Sequence, residues 1–264
     1  MRVCIKLRKE KVNIMILLLA VVIAAAFSVI RKVKSRDRKS AARLQNAFRI
    51  VERKRCAAEE KGKAGERLSG SEEWLADNFY LAAQLKNSVC AFLETAFGGR
   101  RRAAAARRTS GLCREVLESL DWRLEEESLF VRLISCCADL EEDGIGMLES
   151  WFGYHLLLRL AEVCEWRYED GIEQMAACIS SIRILGNLNW GRIQEAVSPV
   201  EKILLEDPAN AYRNMDQRSK AYYRACVGRI AARRQISEPE AAREAVRLAQ
   251  NSEAKGFKER HVGF

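Results

Sequence analysis

Apolar residues recur along this chain at intervals of three and four, the spacing of a helix face, and no convincing run alternates apolar and polar residues. The clearest stripe is Leu75, Phe79, Ala82, Leu85, Val89, Leu93 and Phe97, which predicts a helix over 71–97 with one buried face. A thinner stripe of Leu44, Ala47, Phe48 and Val51 predicts a charged helix over 39–62. Trp151, Tyr154, Leu158, Ala161 and Glu165 share a line within 145–185, which predicts one or two long helices. One stretch departs from the amphipathic pattern. Residues 14–30, IMILLLAVVIAAAFSVI, carry no charge.

The punctuation between stripes supports an all-α fold with a body of about eight helices. Ser69 with Glu72 fits a capping box, and Gly98-Gly99 ends the helix that follows it. Leu112–Leu120 and Glu125–Leu140 predict a helix pair around an Asp121-Trp122 turn, with Glu141 to Gly144 as a break. A further break falls at Gly186-Asn187. Ser198, Pro199 and Glu201 form a second box with proline at the first helical position; Asp207-Pro208 repeats the cap-then-proline arrangement. Asp216 is placed to cap a helix over 217–234, and Ser237 with Glu240 makes a third box. Only three prolines in the chain leave helices largely uninterrupted.

The uncharged run is about the shortest helix that crosses a ~30 Å hydrocarbon core. It divides the chain into a basic flank (1–12), a transmembrane anchor (13–30), a basic helical connector and linker (31–68) and a helical domain (69–264). The same run also fits the hydrophobic part of a signal peptide, with Ala24 to Ala26 as a cleavage site. Seven Lys/Arg between Arg31 and Arg43 oppose translocation of that flank, against five on the N-terminal side. This favours a retained single-pass anchor with the body in the cytoplasm.

The net charge of +9 is unevenly spread. Residues 1–63 hold eighteen Lys+Arg against five Asp+Glu; the remainder holds twenty-seven against thirty-one. The body is mildly acidic, so it lacks the basic surface that nucleic-acid binding requires, and no nucleic-acid partner is expected. The basic flanks point to the lipid bilayer, with Lys32 to Arg55 near anionic headgroups. The run RRRAAAARR (100–108) reads as a solvated helix start or a mobile loop.

Candidate chemistry is sparse. Phosphate-binding glycine loops, the nucleophile elbow and the zinc-protease helix are all absent. The nine cysteines have no C-x-x-C spacing, which fits small buried hydrophobes in a reducing compartment, and no metal site is expected. His155 lies among apolar helix residues and reads as a packed histidine. The carboxylate runs 125–127 and 141–143 read as solvated helix ends, and the five tryptophans as packing anchors. No catalytic, cofactor-binding or metal-binding residue is assigned.

Three stretches share a family pattern: SGSEEWLADNFYL (69–81), the run from Ser181 to Arg224, and SEPEAAREAVRLA (237–249) with HVGF (261–264). They resemble, in order, the N-terminal region of cyclic β-1,2-glucan synthases. The matching positions include Glu73, Trp74, Asp77, Asn78, Trp190, Glu195, Ser198, Glu201, Asp207, Pro208, Tyr212, Asp216, Arg218, Tyr223, Arg224 and His261. Asn189 departs from the family's Asp before Trp. Capping explains Ser198 with Glu201 and Asp207 with Pro208; Asp77, Asn78, Asp216, Arg218 and Arg224 are expected to form polar pairs inside the helical body. The resemblance implies a place at the bacterial inner membrane, a glycosyltransferase module as partner, and glucan synthesis from UDP-glucose by the full-length protein. The chain carries no D-x-D and no Q-x-x-R-W, so it is expected to be a non-catalytic N-terminal portion, from a truncated gene or one half of a split system. The alternative is a free-standing membrane-tethered helical adaptor.

Overall fold

A computed structural model describes residues 39–137, 140–166, 171–251 and Val262. The candidate anchor, Cys4 and His261 lie outside the described residues. The described residues are helical, with no strand among them. None of their helices is long and apolar enough to cross a membrane.

The helices run in order as α1 (39–63), α2 (Gly70–Thr95), α3 (Arg100–Ser119), α4 (Glu126–Cys136), α5 (Glu142–Ile145), α6 (Leu148–Glu165) and α7 (Gly171–Asn187). They continue as α8 (Trp190–Val197), α9 (Pro199–Leu204), a 3₁₀ turn (Tyr212–Asn214), α10 (Gln217–Arg234) and α11 (Glu238–Asn251). The Ser69 box forms as its sequence predicts. The Glu72 amide donates to Ser69 Oγ at 3.4 Å, and the Ser69 amide donates to Glu72 Oε2 at 3.0 Å. Gly99, at φ 116°, turns the chain between α2 and α3 in a region that glycine reaches without a Cβ clash.

Two hydrophobic cores result. The larger takes residues from α1 to α8 and is centred on α6, which α2, α3 and α7 flank. The sequence shows a single stripe on α6, yet Leu148, Trp151, Phe152, Tyr154, Leu156, Leu157, Leu160, Ala161, Val163 and Cys164 are all buried. That set goes around the helix, and Glu165 is exposed. Gly153 lets α2 come close: a Cβ there would stand 2.7 Å from Leu85 Cδ1 and 3.1 Å from Val89 Cγ2. Trp151 meets Phe92, Phe97 and Tyr154 edge-on with ring centroids 5.2–6.2 Å apart. Trp166, in contrast, is exposed, with the Arg159 guanidinium 5.0 Å from its ring.

The helix over 39–63 does more than connect. Leu44, Ala47, Val51 and Ala58 are buried, Phe48 stacks on Phe79 at 5.6 Å, and Lys61 donates to Glu72 at 2.8 Å. The Asp121-Trp122 turn places both residues at positive φ, 50° and 59°. Buried Ser181 holds it by donating to the Trp122 carbonyl at 2.8 Å and accepting from the Leu124 amide at 2.9 Å.

The smaller core joins α9, the 3₁₀ turn, α10 and α11 through Val200, Leu204, Tyr212, Val227, Ala231, Ala241 and Ala242. Residues 141–144, predicted as a break, instead contribute to the short helix α5, which contacts both α3 and α10 and so stands between the two cores.

Candidate functional site

The junction of the two cores is polar. Arg224, from the middle of α10, is its centre and has a side chain only 4% exposed. Its Nη1 donates to Glu201 Oε2 at 2.5 Å and its Nη2 donates to Gln194 Oε1 at 3.1 Å. Its Nε lies 3.6 Å from Glu142 Oε2. Burial works against the guanidinium charge, but the bond it donates to Glu201 and the Glu201 negative charge outweigh that, and the Arg224 pKa is raised.

Glu201 is fully buried. Tyr212 Oη donates to its Oε2 at 2.6 Å, and Lys220 Nζ stands 3.5 Å from its Oε1. The Ser198 box is therefore only half formed. The Glu201 amide donates to Ser198 Oγ at 2.9 Å, but the Glu201 side chain turns inward to Arg224 and Tyr212 instead of back to the cap. A buried carboxylate gains more from a guanidinium than from one cap amide. Lys220 also donates to Glu195 at 2.7 Å.

Glu142, in α5, faces the same cluster. Ser198 Oγ donates to its Oε1, while its Oε2 is buried with no hydrogen-bond donor. The acidic run 141–143 is thus not a solvated helix end at its centre. Burial pushes the Glu142 pKa up to about 7, although the Ser198 bond and Arg224 pull it down. Glu238, the first residue of α11, accepts from the Glu142 amide at 3.0 Å and pairs with Arg101 of α3. Arg101 also donates to the Gly228 carbonyl at 3.2 Å and to Glu141 at 3.3 Å. One arginine of the run 100–108 is therefore a structural tie rather than a solvated charge. A cleft of about 380 Å³ opens here, lined in part by Arg101, Glu142, Gln194, Arg224 and Glu238.

The family-matching positions divide into three groups. Ser198, Glu201, Tyr212 and Arg224, with Glu195, meet in this network. A second group shapes the backbone around it. Asp207, expected as a helix cap, accepts instead from the amides of Ala211 (2.9 Å), Tyr212 (3.1 Å) and Val262 (3.0 Å), fastening the 3₁₀ turn to Val262. Pro208 follows it, half-buried. Asp216 caps α10 through the Ser219 amide at 2.9 Å. Tyr223 packs on Tyr212 with centroids 5.8 Å apart. Trp190 is half-buried and donates to the Leu185 carbonyl at 3.3 Å. Asn189, the departure from the family pattern, still caps α8 by accepting from the Arg192 amide at 3.0 Å.

The third group lies apart from the network. Glu73, Asp77 and Arg218 are exposed, and Trp74 packs half-buried on the larger core. Asn78 donates to the Trp74 carbonyl at 2.9 Å and accepts from Arg183 at 2.6 Å. Of the five polar residues expected to pair inside the body, Arg224 is buried among partners, Asn78 has a partner at the surface, and Asp77, Asp216 and Arg218 are exposed.

Sequence reasoning missed Glu142, Lys220, Gln194, Glu238 and Arg101. His155 is partly buried as expected, with its Nε2 3.0 Å from both Ser110 Oγ and the Ser110 carbonyl. Burial lowers its pKa to about 4. Cys113, Cys137, Cys164 and Cys178 are buried free thiols whose pKa values burial raises, so they are poor nucleophiles. Among the described residues no group of three or more His, Cys, Asp or Glu side chains is placed to hold a metal ion. The network's charged groups bind one another, an arrangement that joins helices.

No family model, curated protein or solved structure matches the chain.

Proposed function

We propose that this chain is the non-catalytic, membrane-anchored N-terminal portion of a cyclic β-1,2-glucan synthase-like glycosyltransferase, held at the cytoplasmic face of the bacterial inner membrane by residues 13–30. Its work is to present a rigid helical body to a glycosyltransferase module. The observation that carries this reading is the ordered run of family-like motifs from Glu73 to Arg224. The role of several of those positions supports it: Glu195, Ser198, Glu201, Tyr212 and Arg224 act together as an internal fastening, which suits a scaffold better than a reaction centre. Glu73, Asp77 and Arg218 match the pattern while exposed, which suits positions at a contact with another module.

Co-expression of the full chain with the transferase module of a cyclic β-1,2-glucan synthase, followed by affinity purification from detergent-extracted membranes, tests this. The expected result is a stable complex, recovered from the membrane fraction, in which the chain alone transfers no glucose from UDP-glucose. A chain that leaves the membrane fraction on a carbonate wash contradicts the anchor. A membrane-bound monomer with no affinity for the transferase contradicts the synthase reading and favours the free-standing adaptor. Glucosyl transfer by the chain alone contradicts the non-catalytic role.

A further inference from the structure

Five carboxylates at the junction face four cations, with Glu141 paired to Arg108 and Arg101. Glu238 is matched by Arg101, Glu195 by Lys220, and Glu201 by Arg224 with Lys220 behind it. Glu142 is left with the flank of an already engaged guanidinium, 3.6 Å away, and with one hydroxyl donor, Ser198. Its second oxygen is buried without a donor. The groups facing Glu142 come from every element around it: Ser198 at the start of α9, Glu201 within α9, Arg224 from α10, Glu238 from α11 and Arg101 from α3 beyond it. Glu141 and Asp143 flank it on α5. Two of the faces nearest Glu142 are themselves acidic, so the surroundings disfavour a further negative charge.

Glu142 also stands where the two cores meet. It belongs to the stretch of chain that feeds the larger core, while Ser198, Arg224 and Glu238 begin or line the helices of the smaller core. We propose that Glu142 is a proton-operated latch: with its carboxyl neutral, α9 to α11 are held firmly on the larger core, and with it ionised their attachment loosens. The step is a simple acid dissociation, with the proton leaving to solvent through the adjoining cleft.

The sign follows from linkage. A carboxyl whose folded pKa lies above the unfolded value of 4.5 contributes stability at low pH, and that contribution falls as pH rises toward and through about 7. His155 acts in the opposite sense and at lower pH, and it is common to every variant compared.

Hydrogen exchange of the full chain in a mild neutral detergent, corrected for intrinsic rates, reads the latch. Between pH 5 and pH 8 the opening equilibrium of α9 to α11 amides is expected to rise by some tens of fold in the natural chain, and by less than about threefold in Glu142→Gln. A flat profile in the natural chain, or equal rises in both chains, overturns the proposal. Should Glu142→Gln fail to fold, carboxyl-carbon NMR of glutamate-labelled natural chain decides. The Glu142 resonance titrating near neutrality supports the latch, and its titration between about 3 and 5 refutes it.

Discussion

Replacing Arg224 by methionine separates a structural fastening from a surface charge. Methionine keeps an aliphatic stem of comparable volume at this buried position, so little of the loss comes from a cavity. What disappears is the donor to Glu201 at 2.5 Å, the donor to Gln194 at 3.1 Å, and the nearest cation to Glu142. Glu201 is fully buried and would keep only the Tyr212 hydroxyl and Lys220 at 3.5 Å. Removing one partner of a buried pair costs about 3–5 kcal/mol, because the other charge stays buried. Arg218, in the same family-like motif, is exposed, and Arg218→Met should cost no more than about 0.5 kcal/mol. Urea denaturation of the full chain in detergent, followed by circular dichroism, measures both. The double variant Glu201→Gln/Arg224→Met should recover part of the loss, since no unpaired carboxylate then remains at that position. A cost below about 1 kcal/mol for Arg224→Met, or equal costs for the two arginines, would refute the network as a fastening.

Other outcomes follow from single contacts. Gly153→Ala should destabilise by about 1–3 kcal/mol, because its Cβ would collide with Leu85 and Val89, whereas Gly111→Ala, with nothing within 4 Å, should stabilise α3 by roughly 0.5–1 kcal/mol; thermal unfolding distinguishes them. The folded pKa of His155 is depressed to about 4, so its contribution is present above its usual 6.5 and is lost as pH falls from there toward 4; His155→Gln should flatten that part of a stability-versus-pH curve. Lys61, with Lys54 near it, overcomes the burial of Glu72 and lowers its pKa to about 2. That contribution should be present above 4.5 and fade as pH drops from there toward 2, and Glu72→Gln should remove the dependence in an acid titration monitored by circular dichroism.

Much of the helical outline was legible because its signals are local. Asp216 and the stretch to Arg234 bound α10 as spacing predicts, and the Ser69 and Ser237 boxes stand where their patterns lie. A cap amide is at most three or four residues from the side chain that satisfies it, so sequence alone contains both partners. Glu142 and Glu201 were illegible for the opposite reason. Glu141, Glu142 and Asp143 are chemically alike in a string of letters, and only the middle one points at Arg224. Glu201 fits a capping box in every letter, and its inward turn depends on Tyr212 and Arg224 arriving from later helices. The all-round burial of α6 was understated because periodicity shows one face, while the others are covered by distant helices.

That burial has a consequence for synthesis. The apolar surface of α6 is closed by α2 and α3, made before it, and by α7, made after it. While the chain is being translated, Leu75, Val89, Cys113 and Leu117 leave the ribosome before α6 and α7 exist to cover them. At 5–20 residues per second, roughly 5–20 s separate the end of α2 from the end of α7. The larger core therefore cannot be completed before α7 has been made. Through that interval these apolar faces stay exposed to water and to other chains.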